Sequence, residues 1–481
     1  MRKKMIGALL VVVFFSMTLP LIPLATQATG ATQVAQVVQI ASISALGTTN
    51  NAEVVELAAT SSGFYDDLGT IYKVKTPDGI YIKVLRYHPP GQSFRNGQPI
   101  LLFPGILANI NEFLSHSTPR LKQFYNVTLP DNLADWAKGD ENIKKDPLLY
   151  YSIAYYLWKQ GYDVWLANYR GTGYKEMKSD MGKPTTSIDT FALYDARTAI
   201  KQVYSVTGKH PVVGGHSTGG LVTMMLLQGT YFKSNGHIGS SDALVKERNG
   251  ITQGPETIKG FIALEPAGIP TITKLLDLHL VWEILDMDLY LDVRSILETL
   301  DGTGSCSMIN LLEKVLSQSG PLIRDIVKNL LNMDLLDLNP PLGYFHLAYS
   351  LDSIYFDVLA QYFDFAMHNT IREFFKNGLL NQFLAEPLPP RILDGYYYYV
   401  GSNMKKVKVP MITILATMQN SYLDLVNADE IIKDFVKGKT PSGNDPVYFV
   451  EGAHVDIPLG INAPTDAFPY IGYWLKTVAP P

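Results

Sequence analysis

Gly215-His216-Ser217-Thr218-Gly219 sets one serine hydroxyl between two glycines. The apolar pair Val212-Val213 comes just before it, and a helical run, residues 221–227, comes just after. A serine on so sharp a strand-to-helix turn is lifted above the end of its strand as a nucleophile. Flanking glycines are required because side chains there would clash. The Thr218 N–H falls at the helix start, where developing negative charge is favoured. A serine hydroxyl also needs a base, and nine histidines are available. Only His454 follows the final apolar run, in Glu451-Gly452-Ala453-His454-Val455-Asp456. Small residues before it let a loop carry the imidazole over the strand ends. His216 reads as part of the turn itself. A second N–H for a developing oxyanion is expected after the apolar run 100–103, in Pro104-Gly105-Ile106-Leu107. Gly105 permits close backbone approach there, and the Ile106 amide is the candidate donor.

These groups need a frame that holds them. Residues 71–75 and 80–87 are β-rich and flank Thr76-Pro77-Asp78-Gly79, a hairpin signature. Short apolar runs follow at 100–103, 163–167, 211–213, 258–264, 410–416 and 447–450. Runs of this kind between glycines and prolines read as strands buried on both faces of a parallel sheet. Helical patterns at 188–206, 218–231 and 465–478 alternate with them, and Gly208 can stop the first. The alternation predicts a doubly wound α/β fold. It breaks between residues 269 and 395, a Leu-, Asp- and aromatic-rich stretch. Helical patterns there cover 275–300, 308–331 and 347–375, with no strand run. Such an insertion between core strands is expected to cap the strand ends, where ligands of these sheets bind.

With 47% apolar and 18% charged residues the chain has globular chemistry, which excludes wholesale disorder. Its 40 basic and 45 acidic residues give a net charge of -5 and no long basic run, which argues against nucleic acid as a partner. Residues 1–28 carry Arg2, Lys3 and Lys4, then an apolar stretch from Ile6 to Leu19, then Pro20, Pro23 and small residues up to Ala28. This is the pattern of a secretory signal peptide, so the mature protein is expected outside the cytoplasm or in the periplasm. The lone cysteine, Cys306, cannot close an intrachain disulfide, and multi-cysteine zinc sites are excluded with it. Stability must come from a large core. Residues 29–62 read as a weakly structured leader, 63–268 and 396–481 as the two parts of the core.

Several segments resemble the acid lipases, α/β-hydrolases of the lysosomal and gastric type. They are Pro104-Gly105-Ile106-Leu107-Ala108, Asp163-Val164-Trp165-Leu166-Ala167-Asn168-Tyr169-Arg170-Gly171, the Ser217 pentapeptide, and His454-Val455-Asp456 with Gly460-Ile461-Asn462-Ala463-Pro464. The resemblance implies an α/β-hydrolase fold with an inserted helical cap, hydrolysis of carboxylic esters of fatty acids, and no cofactor or metal. Pro104 stands where that family has histidine. The resemblance also puts the third member of a Ser-acid-His triad after the 410–416 strand. Gln419 and Asn420 occupy the usual place, and Asp424 follows a few residues later. Some secreted bacterial esterases look similar at Ala263-Leu264-Glu265-Pro266 and use that glutamate, so Glu265 is the rival.

The expected catalytic set is Ser217, Asp424 and His454, with Glu265 as the alternative acid and Ile106 and Thr218 amides as the oxyanion hole. The expected reaction is ester hydrolysis through an acyl-enzyme, on a small-molecule or lipid ester, with transient contact to a lipid surface through the cap. A peptidase or thioesterase of the same fold is the near alternative. A non-catalytic binding protein is the distant one, and the intact Ser/His pair argues against it.

Overall fold

The computed structural model describes residues 55–56, 63–269, 290–302, 339–374, 395–399, 401–417 and 428–481. The signal-peptide segment, the predicted helix at 308–331 and Asp424 lie outside the described residues.

Nine strands form one sheet. In chain order they are β1 (Val55–Glu56), β2 (Gly69–Lys75), β3 (Tyr81–Tyr87), β4 (Pro99–Phe103), β5 (Asp163–Ala167), β6 (Val212–His216), β7 (Gly260–Leu264), β8 (Met411–Ala416) and β9 (Val447–Val450). Across the sheet the order is β1-β2-β3-β5-β4-β6-β7-β8-β9. β1, which lies within the leader, pairs with β2, and β2 with β3, both antiparallel. β3 is also antiparallel to β5, and every pairing from β5 to β9 is parallel. Strands β4 to β8 are buried along their whole length, which is why they read as unbroken apolar runs. Alternate side chains of each strand enter different cores. Leu102, Leu166 and Ile262 pack on one face with α1 (Ile153–Lys159) and the C-terminal helix Ala463–Val478. Leu101, Trp165 and Phe261 pack on the other with α2 (Arg197–Thr207) and α3 (Thr218–Leu227). Gly208, at φ 67°, ends α2 as its sequence suggested. A mostly parallel sheet with helices on both faces, in this strand order, is the α/β-hydrolase fold.

The chain between β7 and β8 departs from the all-helical expectation. Tyr290–Leu291 and Ile354–Tyr355 form a two-stranded antiparallel ladder. The predicted helix at 347–375 is a wide helical turn, His346–Ser350, then that strand, and only then α4 (Phe356–His368). Ser353 shows why the helix breaks. Its N–H donates to Asp352 Oδ1 at 2.7 Å, and the Asp352 N–H donates to Leu107 O at 2.8 Å, so neither is left for helical backbone bonding here. The predicted helix at 218–231 stops at Leu227, and Thr230–Phe232 turns into a hairpin with Ile238–Ser240.

Candidate active site

Ser217 occupies the turn between β6 and α3 at φ 51° and ψ -115°. A non-glycine residue held there stores strain of about 1–3 kcal/mol. The neighbouring glycines make the turn possible. A Cβ on Gly215 would lie 2.2 Å from the Gly219 carbonyl carbon, and one on Gly219 would lie 2.2 Å from Phe103 O. Ser217 N donates to Leu264 O at 3.0 Å, and its carbonyl accepts from Ala267 N at 2.9 Å, so β7 and the loop after it pin the turn. The Ser217 hydroxyl is buried and makes no hydrogen bond among the described residues.

The loop after β4 lies against this turn. A Cβ on Gly105 would sit 3.3 Å from Ser217 Cβ and 3.1 Å from His216 Nδ1. A side chain there would crowd both residues, and glycine gives the Gly105–Ile106 peptide its room. Leu107 follows at φ 57°. Thr218 is fully buried, and its Oγ1 is 2.8 Å from the Tyr362 hydroxyl on α4.

Two loops meet through His216. Its Nε2–H donates to the His454 carbonyl at 3.1 Å, while Nδ1 is 3.3 Å from Glu112 Oε2. Nε2 therefore carries a proton toward that carbonyl, and Nδ1 faces the Glu112 carboxyl. The other oxygen of Glu112 accepts from Gly105 N at 3.0 Å. Burial raises the Glu112 carboxyl above its ordinary range, against the pull of His216. His216 thus ties the Gly105 loop to the His454 loop, a structural role as its sequence context implied.

The His454 ring lies 4.9 Å from the His216 ring, centroid to centroid. Its Nδ1 is 4.0 Å from Glu265 Oε1, beyond hydrogen-bond range. Burial, and then repulsion from His216, hold the imidazole well below its usual pKa, so it is neutral and able to accept a proton at pH 7. Glu265 is buried at φ 43° just past β7. Its Oε2 accepts from Ala416 N at 2.5 Å and its own N–H donates to Ile414 O at 2.8 Å, which fixes it across the end of β8. Of the five non-glycine residues at positive φ among the described residues, Leu107, Ser217 and Glu265 all belong to this region. Backbone strain concentrates where function does.

The structure therefore brings together Ser217, Thr218, the Ile106 loop, His454 and Glu265. Asp424 lies outside the described residues. Sequence reasoning missed Glu112 and Tyr362. Neither sits in a motif, and their contacts cross from separate parts of the chain. The other resembling segments hold the frame. Arg170 is buried between Asp78 and Asp195, 2.6 and 2.7 Å away. Asp456 Oδ2 accepts from Ala453 N at 2.7 Å and shapes the His454 loop.

Residues 102–264 match the serine aminopeptidase S33 family, a stretch that holds Ser217 and the Ile106 loop but ends before Glu265 and His454. No curated protein matches the chain. Among solved structures it is similar to a thermophilic esterase from Thermogutta terrifontis, at 12% identity over 85% of this chain and 99% of that one, with TM-score 0.43. It is also similar to a soluble variant of monoglyceride lipase from Saccharomyces cerevisiae (13%, 84% and 92%, 0.42) and to the enol-lactonase from Burkholderia xenovorans (9%, 82% and 96%, 0.41). The matched family and the fold support a hydrolase.

Proposed function

We propose that the protein is a serine hydrolase of carboxylic esters, working through Ser217, His454 and Glu265. The observation that carries this reading is the buried, unbonded Ser217 hydroxyl on its strained turn, with a neutral histidine loop and a glycine loop packed beside it. Ser217 Oγ attacks the ester carbonyl carbon while the His454 ring accepts the hydroxyl proton. The carbonyl oxygen becomes an oxyanion, and the Thr218 and Ile106 N–H groups hold it. Collapse breaks the C–O bond to the alcohol, which leaves with the proton from His454. Water then repeats the sequence on the acyl-enzyme and frees the acid. The Glu265 carboxylate orients the imidazole and offsets the charge it gains. The insertion acts as a cap that supplies an apolar acyl site and touches lipid surfaces. Residues 1–28 direct export.

The match to an aminopeptidase family favours peptides as a second reading. One experiment separates the two and tests the nucleophile. Purified protein is labelled with a fluorophosphonate and assayed on p-nitrophenyl esters, triglycerides and aminoacyl anilides. Labelling at Ser217 and ester turnover are expected, with turnover about 10⁶-fold lower in Ser217→Ala. Turnover of the anilides alone makes the protein a peptidase. Near-normal ester turnover by Ser217→Ala removes the serine mechanism.

A further inference from the structure

The loop that carries Ile106 is held from two sides, and one of them is the insertion. Leu107 O accepts from Asp352 N at 2.8 Å, and Asn109 N donates to Ser350 O at 3.0 Å, so Ala108 and Leu351 face each other as an antiparallel bridge. Side chains repeat the link. Asp352 is fully buried, and its Oδ2 accepts from Asn109 Nδ2 at 2.8 Å and from Gly173 N at 2.7 Å. Its Oδ1 accepts from Ser353 N at 2.7 Å. Tyr349 O accepts from Asn109 Nδ2 and from Asn111 Nδ2, both at 2.9 Å. On the core side Gly105 N is bound to Glu112, and Ile110 N donates to Asn168 Oδ1 at 2.9 Å. Ile106 is thus flanked by Gly105, bound through its N–H, and Leu107, bound through its carbonyl and held at φ 57°.

We infer that Asp352 is a positioning residue for the oxyanion hole: it fastens residues 107–109 to the insertion and so sets where the Ile106 N–H points. The inference rests on the ester-hydrolase reading for its effect on rate, but the fastening itself does not. The buried carboxylate accepts three bonds, from Asn109, Gly173 and Ser353, and so joins the insertion to the loop that carries the Ile106 N–H. The strip at residues 349–352 is therefore a fixed wall of the site rather than a part of the insertion that swings away.

Asp352→Asn keeps the shape but turns an amide N–H toward one of the backbone donors, which breaks part of the fastening. A displaced donor costs up to about 10²-fold in rate. The variant should lose about 10- to 100-fold in kcat per fluorophosphonate-titrated site, with KM within about twofold. A role confined to folding would lower the number of titrated sites and leave kcat per site alone. Asn109→Ala should show the same loss, and the double variant should be no worse than the single ones, because both cut one link. Hydrogen exchange of the 104–112 peptide should rise in both variants. Unchanged exchange together with kcat per site near the wild-type value overturns the inference. If wild-type protein hydrolyses no ester, the functional reading falls, while the exchange result still decides whether Asp352 holds the loop.

Discussion

Glu265 and Asp424 pose the sharpest question at the level of single residues. Motif and position single out Ser217, Thr218 and His454 in the sequence, because a strained turn demands glycines at fixed offsets and a loop histidine after the last strand has few places to go. The acid was not readable in the same way. Any carboxylate at the end of either of two neighbouring strands can reach the same imidazole, so linear order does not choose between them. The structure puts Glu265 4.0 Å from His454 and locks it to Ala416 N. Glu265→Gln should therefore lower kcat by about 10⁴-fold, since the amide favours the wrong histidine tautomer, while Asp424→Asn should stay within about tenfold of wild type. Steady-state kinetics on one activated ester decides it. The reverse pattern would move the acid to the strand that the family resemblance points to. Glu112 was beyond sequence reasoning altogether, because its partners Gly105 and His216 meet it only after folding.

Strands and helices of the sheet were legible because full burial leaves an unmistakable apolar run, as in Ile100 to Phe103 or residues 163–167. The insertion was less so. Ile354–Tyr355 is too short for a two-residue period to register, and its aromatic neighbours imitate a helix face. What it does near the site shows in Tyr362, whose hydroxyl meets Thr218 from α4, beside the buried Val358 and Phe365. An apolar wall at that distance from the nucleophile should prefer longer acyl chains. Each added methylene that is buried is worth about 0.8 kcal/mol, or roughly fourfold in kcat/KM, until the pocket is full. A p-nitrophenyl series from acetate to palmitate should rise and then level. Equal kcat/KM across the series would leave the insertion without a role in acyl binding.

Acid sensitivity belongs to the molecule as a whole. His346, in the insertion, is buried between Ser350 Oγ at 3.0 Å and Ser115 Oγ at 3.5 Å, and burial lowers its pKa to about 3. His116 nearby is lowered to about 4 by the same cause. Below pH 6.5 the unfolded chain takes up protons that these folded-state imidazoles refuse. Stability is therefore lost as pH falls from about 6.5 toward 3, at about 1.4 kcal/mol per pH unit for each group. Buried carboxyls act in the opposite sense. Asp189 and Asp352, raised to about 7 and about 6, become less of a burden as they protonate. A variant isolates one contribution. His346→Asn is expected to start less stable at pH 7 and to close the gap with wild type between pH 6.5 and 4, measured by denaturant midpoints. A gap independent of pH would mean that His346 is not held neutral. The sheet order also has a consequence in time. β7 pairs with β8, yet about 150 residues, the insertion among them, separate them in the chain. Closing so long a loop costs about 4 kcal/mol of chain entropy before any contact repays it. During synthesis at about 5–20 residues per second, β7 waits about 7–30 s with an open edge. Glu265 ends that strand, and the Ala416 N–H that fixes it arrives only with β8. Until then the nascent chain carries a nucleophile turn without its acid in place, so the hydrolytic centre is among the last parts of the protein to come into being.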